Sequence, residues 1–91
     1  MTIQNAVKQL RAAGIKVVVA NNGLTADTDG FYERFGSNEC PFVGFHIIDY
    51  GSKYVLIVVM CPKSFGGKTE EYKGKQFQAG IDRIIEIFGK V

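Results

Sequence analysis

Two apolar segments joined by a short polar turn constrain the fold of this chain more than any other feature. The segments Phe42–Tyr50 and Tyr54–Cys61 are rich in β-branched and aromatic residues, which is typical of strands. Gly51 and Ser52 suit a two-residue turn, because glycine at the first central position accepts a positive φ without steric cost. The pattern predicts a β-hairpin at the centre of the fold.

A two-residue turn would set the register of this hairpin and the face on which each side chain lies. It places His46 opposite Ile57 and Ile48 opposite Val55. One face is then expected to hold Phe42, Gly44, His46, Ile48, Val55, Ile57, Val59 and Cys61. The other is expected to hold Val43, Phe45, Ile47, Leu56, Val58 and Met60. Both faces are apolar, so both should be covered, and because two helices are too few for this we expect a homodimer.

Patterns on either side of the hairpin complete the predicted fold. Apolar residues recur at helical spacing in residues 3–13 and 77–88, and Thr69 is expected to cap the second of these helices. Residues 15–20 are β-branched and predict a strand that ends at an Asn-Asn-Gly turn. Residues 24–40 are expected to be mostly loop, with one helical turn near its aromatic residues. The order α-β-loop-β-β-α predicts one α+β (mixed α/β) domain over the whole chain, with a small three-stranded sheet.

The charge distribution marks one candidate binding segment. The formal net charge is only +2, but residues 51–91 carry seven Lys or Arg against four Asp or Glu, and residues 1–50 carry four against five. The excess collects after the second hairpin strand, where a basic loop can contact nucleic-acid phosphates. The candidate nucleic-acid contacts are Lys63, Lys68, Lys73 and Lys75. The alternative is that these lysines are merely solvated.

Targeting signals are not recognisable in the sequence. No segment approaches the roughly 20 apolar residues that a membrane span requires. The N-terminal residues lack the charged and then apolar layout of a secretion signal. The two cysteines without such a signal favour free thiols in a reducing compartment. We therefore expect a cytoplasmic protein.

Four short segments occur in an order and spacing shared with one known family. They are Leu10–Ile15 with the turn Asn21–Gly23, Arg34–Gly36 before Pro41, Cys61-Pro62, and Gly66–Thr69. In these segments the chain resembles the VRR-NUC domains, small nucleases of the PD-(D/E)xK, restriction-endonuclease-like superfamily. The resemblance implies a restriction-endonuclease-like core, here lacking the final strand because the sequence stops at Val91.

The positions that would hold the metal in such a nuclease carry other residues here. The resemblance places the aspartate that follows proline on Phe42, and the Glu-x-Lys motif on the segment from Val59 to Cys61. Mg²⁺ requires oxygen ligands such as carboxylates, which phenylalanine, valine and a thiol do not supply. We therefore expect no catalytic residue, no metal and no cofactor, although the predicted register brings Phe42, Val59 and Cys61 together.

Two other routes to chemistry remain. Asp49, Glu39 or the single histidine His46 could build a relocated metal site. The segment Gly66–Thr69 ends like a P-loop, but the strand and acidic residue that nucleotide hydrolysis needs are missing. If a helix begins there, its backbone amides and Lys68 could still contact an anion.

These observations favour a non-catalytic binding protein on a nuclease-like scaffold. It would contact nucleic acid such as DNA through its basic loop, or a protein partner or second copy through an apolar hairpin face. One alternative is a small inhibitor or interaction module of a phage or other mobile element, with no nucleic-acid contact. Another is a metal-dependent DNA nuclease with a relocated site. Steep salt dependence of binding would separate a phosphate binder from an apolar interface.

Overall fold

Five antiparallel strands form a single sheet in which each strand pairs with its neighbours in the sequence. The computed structural model describes residues 3–36, 43–51 and 54–89. The strands are β1 (Val17–Ala20), β2 (Gly23–Ala26), β3 (Gly44–Asp49), β4 (Val55–Met60) and β5 (Thr69–Lys73). The helices are α1 (Ile3–Ala12), α2 (Phe31–Phe35) and α3 (Phe77–Phe88), with 3-10 turns at Lys63–Phe65 and Gly74–Gln76.

The predicted α+β class is confirmed, but the predicted count of three strands is wrong. Residues 23–26, assigned to turn and loop, form β2, and Ala20 pairs with Gly23 across the Asn21-Asn22 turn. Residues 69–73 form β5, so Thr69 begins a strand and does not cap a helix. Both strands are short, so they show no long periodic pattern. β5 is also polar, as edge strands often are, and therefore lacks the apolar pattern by which a strand is recognised. The helical turn among the aromatic residues is confirmed as α2.

The central hairpin is confirmed, but its predicted register is wrong by one residue. His46 lies opposite Val58, and Ile48 lies opposite Leu56. The amide of Tyr50 donates to the carbonyl oxygen of Tyr54 at 3.0 Å, so the hairpin closes one residue later than a two-residue turn would allow. A slip of one residue moves every side chain of one strand to the other face relative to its partner strand. The expected composition of the two faces is therefore wrong.

The two long helices, α1 and α3, pack on one face of the sheet, and α2 packs against the end of α3. The side chains that this face contributes to the core are at most 1% exposed, namely Leu24, Phe45, Ile47, Ile57 and Val59. They pack with Leu10 of α1 and with Ile81 and Ile84 of α3 in one apolar cluster. Because both long helices lie on the same side, the described residues cover only one face of the sheet, and the covering of the other face by a second copy stays a prediction. None of the described helices is both long enough and apolar enough to cross a membrane.

Arg34 fastens α2 to the C-terminal end of α3. Its guanidinium donates to the carbonyl oxygens of Phe88 at 2.6 Å, Ile87 at 3.1 Å and Gly89 at 3.0 Å. The last carbonyl groups of a helix have no partner within the helix, so a fixed cation there satisfies them and interacts favourably with the helix dipole. The Phe31 ring also stacks on the Phe88 ring with 5.4 Å between centroids. These contacts anchor the described part of the connection between β2 and β3 to α3.

Candidate interaction face

The structure divides the four candidate lysines between the two ends of β5. Lys63 lies in the 3-10 turn and Lys68 directly precedes β5, whereas Lys73 ends β5 and Lys75 follows in the next turn. Five residues of strand, from position 68 to position 73, span about 17 Å. The ammonium of Lys73 lies 5.1 Å from the centroid of the Tyr54 ring. The four lysines therefore do not lie in one loop, and their contact with nucleic acid stays a prediction.

The glycine-rich segment before β5 is a tight turn and not an anion site at a helix N-terminus. The amide of Gly66 donates to the carbonyl oxygen of Lys63 at 3.1 Å, and that of Gly67 donates to the carbonyl oxygen of Pro62 at 3.0 Å. Thr69 then enters β5 and not a helix. These glycine amides are used within the turn, so the expectation of a helix N-terminus with amides free to contact an anion is wrong.

The positions matched to the nuclease motif lie in the hydrophobic core where they are described. Val59 is 0% exposed and Cys61 is 5% exposed, and both belong to the apolar cluster beneath the helices. Phe42 lies outside the described residues. Two of these three positions therefore form packing surface, inaccessible to a nucleic-acid substrate in this conformation.

The two described residues of a relocated site, Asp49 and His46, do not come together in the structure. Asp49 and His46 are three positions apart on β3, so their side chains lie on opposite faces of the sheet. One carboxylate oxygen of Asp49 accepts a hydrogen bond from the amide of Gly51 at 2.8 Å, which stabilises the hairpin turn. Glu39 lies outside the described residues. Within residues 3–36, 43–51 and 54–89, no three His, Cys, Asp or Glu side chains converge closely enough to hold a metal.

A polar cluster beside Cys61 ties β5 to α3. One oxygen of Glu70 accepts hydrogen bonds from the Tyr72 hydroxyl at 2.7 Å and from Nε of Arg83 at 3.0 Å. Arg83 also donates to the carbonyl oxygen of Phe65 at 3.2 Å and pairs with Glu86. The hydrogen bonds from Tyr72 and Arg83 lower the pKa of Glu70, whereas burial raises the pKa of Tyr72 to about 12.

The thiol of Cys61 is unsuited to nucleophilic chemistry in this setting. Burial, and after it the charge of Glu70, raises the pKa of Cys61. A thiol with a raised pKa carries less of the reactive thiolate at neutral pH. The cluster around it is therefore structural, and it joins the polar edge strand to the last helix.

Glu70 gives a testable pH dependence of stability. Its pKa is lower in the folded state, so its contribution is complete above the unfolded pKa near 4.5 and is lost as the pH falls through the folded value. We expect Glu70→Gln to lower the free energy of unfolding at pH 7 by about 1 kcal/mol, because the cluster is only half-buried. The deficit should shrink towards pH 3 in urea unfolding experiments. Glu71→Gln, at an exposed neighbouring position on the opposite face, is the control and should have little effect; equal losses for both variants would contradict this role.

The face of the sheet away from the helices carries a half-exposed apolar surface. We call it the open face; at its centre lie His46, Ile48, Leu56, Val58 and Met60. Each is partly accessible, whereas on the helix-covered face of the same strands Phe45, Ile47, Ile57 and Val59 are at most 1% exposed. Exposed residues border it, namely Val18, Thr25, Thr69, Glu71 and Lys73. The predicted register divides this surface: it places His46 and Ile48 of β3 on one face and Leu56, Val58 and Met60 of β4 on the other.

A shallow hollow interrupts the open face where β2 passes beside β3. It encloses about 230 Å³ and lies over Gly23, between Ala20, Thr25, His46 and Ile48. Gly23 lines the hollow with backbone atoms, because glycine has no side chain. The hollow makes the open face concave beside His46 and Ile48.

Comparison with known proteins does not assign this chain to a class, so its class is defined by its fold and its surface. No known family, curated protein or solved structure matches the chain. The resemblance to the VRR-NUC domains therefore stays a prediction. The fold and the open face define a small α+β module with one helix-covered core face and one apolar accessible face.

Proposed function

We propose that this protein is a non-catalytic binding module that docks a protein partner on the open face of its sheet. The carrying observation is that four large apolar side chains and His46 lie together, partly accessible, on a face that none of the described helices covers. Contiguous accessible apolar surface bordered by polar residues is typical of sites of protein interaction. The hollow over Gly23 adds shape to that surface.

The charges of the open face favour a protein partner over nucleic acid. Glu71 and Lys73 are the charged residues that β5 places on this face, and their charges cancel. Nucleic-acid affinity depends strongly on positive groups that contact phosphates. The remaining candidate lysines lie at separate ends of β5, so they do not extend the open face into one basic surface.

The absence of catalysis is part of this proposal. Its support is the burial of Val59 and Cys61, together with the separation of Asp49 from His46. The only support for a nuclease-like scaffold in this proposal is the resemblance of the four sequence segments. An inhibitor or interaction module of a mobile element would use the open face in the same way, and a reducing cytoplasm suits the free buried thiol of Cys61.

Matched lysine substitutions test the proposed face. Val58→Lys places a charge at the centre of the open face, and Ala12→Lys places one on the exposed surface of α1. In affinity purification from the cells that produce the protein, we expect wild type and Ala12→Lys to retain a shared protein partner and Val58→Lys to lose it. Circular dichroism should show that all three are folded. The interaction should persist between low and physiological salt, unlike phosphate contacts.

Two outcomes would contradict the proposal. One is retention of the same partner by Val58→Lys. The other is cleavage of single-stranded, double-stranded or branched DNA with Mg²⁺ or Mn²⁺ by the wild type and its loss in Asp49→Asn, which would establish a relocated nuclease site.

A further inference from the structure

Strand β1 exposes apolar side chains on both sides of the sheet. Val18 is 53% exposed and Val19 is 52% exposed, more than any other large apolar side chain among the described residues. Successive residues of a strand point to opposite faces, so a partner lying flat on either face covers only one of them. A strand placed alongside the free edge of β1 contacts both.

The outer backbone edge of β1 also pairs with no other strand among residues 3–36, 43–51 and 54–89. The amide of Asp27 donates to the carbonyl oxygen of Lys16 at 3.1 Å, which makes these two a hydrogen-bonded pair of the antiparallel ladder. Bonded and non-bonded pairs alternate along such a ladder, so Val18 bonds with Thr25 opposite it. Val17 and Val19 therefore direct their N–H and C=O groups away from β2, towards the free edge.

The two edges of the sheet differ in their protection against pairing. β5 carries Glu70, Glu71 and Lys73, and charged residues on an edge strand oppose the addition of another strand. β1 has the sequence Val-Val-Val-Ala and carries no charge. Of the two edges, only β1 has the composition of an interface strand.

We propose that a second copy of this chain pairs with β1 in an antiparallel, two-fold arrangement. Val17 of each copy lies opposite Val19 of the other, and the two Val18 side chains meet at the axis. This register uses both outward-directed residues of each copy and forms four N–H···O bonds. Because β1 has no charge, no like charges oppose each other on the paired strands. An interface of this kind is self-complementary, as two-fold symmetry requires.

The flanking residues favour this register over the one that pairs Val17 with Val17. A register with Val17 opposite Val17 would need the amide of Ile15, which already donates to the carbonyl oxygen of Leu10 at 3.0 Å. In the proposed register Lys16 lies opposite the small Ala20 of the second copy, so its charge meets no other charge. The dimer forms one ten-stranded sheet, with the two open faces side by side. This inference is independent of the proposed function, since it concerns the edge of the sheet and not its face.

Sedimentation of matched variants tests this interface. We expect the wild type to sediment as a dimer at micromolar concentration, and Val18→Lys to sediment with half that mass because two like charges meet at the axis. Val19→Pro removes a donor directed at the free edge and spares the bonds to β2, so it should also halve the mass. Val19→Thr keeps both the amide and the branched shape and should remain a dimer. Val58→Lys on the open face should remain a dimer as well.

Hydrogen exchange supplies a readout that does not depend on any variant. We expect the amides of Val17 and Val19 to exchange more slowly as protein concentration rises, while the amide of Val18 is protected at every concentration. A monomeric wild type at micromolar concentration would overturn the proposal. A dimer that survives Val18→Lys would also overturn it, and if that dimer dissociates in Val58→Lys, the copies meet through the open face.

Discussion

Replacing Gly23 with alanine is expected to lower the free energy of unfolding by about 3 kcal/mol, the upper range for overpacking a buried site. A Cβ atom at this position would lie 2.1 Å from the carbonyl oxygen of Ile47 and 3.2 Å from Cα of Ile48. Both are backbone atoms of β3, so no side-chain rotation relieves the contact, and β2 must move away from β3. For a chain of this size the loss corresponds to a decrease of roughly 12–24 °C in the melting temperature.

A second glycine provides the matched control for this substitution. Gly30 has a φ of +86° and open space around it, so Gly30→Ala meets no neighbouring atom. Its cost, about 1 kcal/mol, should come from the left-handed backbone alone. Both substitutions reduce the entropy of the unfolded chain equally, so their difference in thermal and urea unfolding measures the steric contact at Gly23. Equal losses would show that the contact between a side chain at position 23 and the backbone of β3 adds nothing to the cost of the substitution.

Replacing Gly80 with valine is expected to cost about 3 kcal/mol, because it overpacks the contact between α3 and the sheet. A Cβ atom at Gly80 would lie 2.8 Å from Cδ1 of Ile57 and 3.0 Å from Cβ of Tyr72. The absence of a side chain therefore lets α3 approach β4 and β5 closely. Ala79→Val, at the adjacent exposed position, is the control, and its cost of about 0.5 kcal/mol should reflect helix propensity alone.

A double-mutant cycle identifies the contact responsible. Ile57→Val removes the Cδ1 atom that the new methyl group of Gly80→Ala would approach. We expect the combined variant to lose about 1 kcal/mol less than the sum of the two single losses, as contacting residues usually do. Additive losses would show that Ile57 does not contribute to the steric cost of a side chain at position 80. Tyr72 would then be the side chain that causes this cost.

The hairpin and the alternation within its strands could be predicted from the sequence because both are local properties. Apolar β-branched residues favour extended backbone, and successive side chains of a strand point to opposite faces. The predicted pairing failed at the turn. The closing pair Tyr50 and Tyr54 leaves one residue more than a two-residue turn, and that residue shifts the partner of every residue in β4.

Strand β5 shows why a polar edge strand escapes prediction. Its sequence Thr-Glu-Glu-Tyr-Lys carries carboxylates that suit the first turn of a helix as well. Pairing with β4 and the contacts of Glu70 with Tyr72 and Arg83 decide the outcome. Arg83 is 13 residues beyond Glu70 in the sequence, so no local pattern contains this information.

The sequence by itself determined that a hairpin with two apolar faces lies at the centre of this protein. It also excluded carboxylates from the positions matched to the nuclease motif. Only the tertiary structure decided which face is covered and which is available for binding. The physical reason is that an alternating apolar pattern is unchanged when the two faces are exchanged, so the packing of α1 and α3 on the same side makes the difference. His46, Ile48, Leu56, Val58 and Met60 became the open face because both helices lie against their neighbours in sequence.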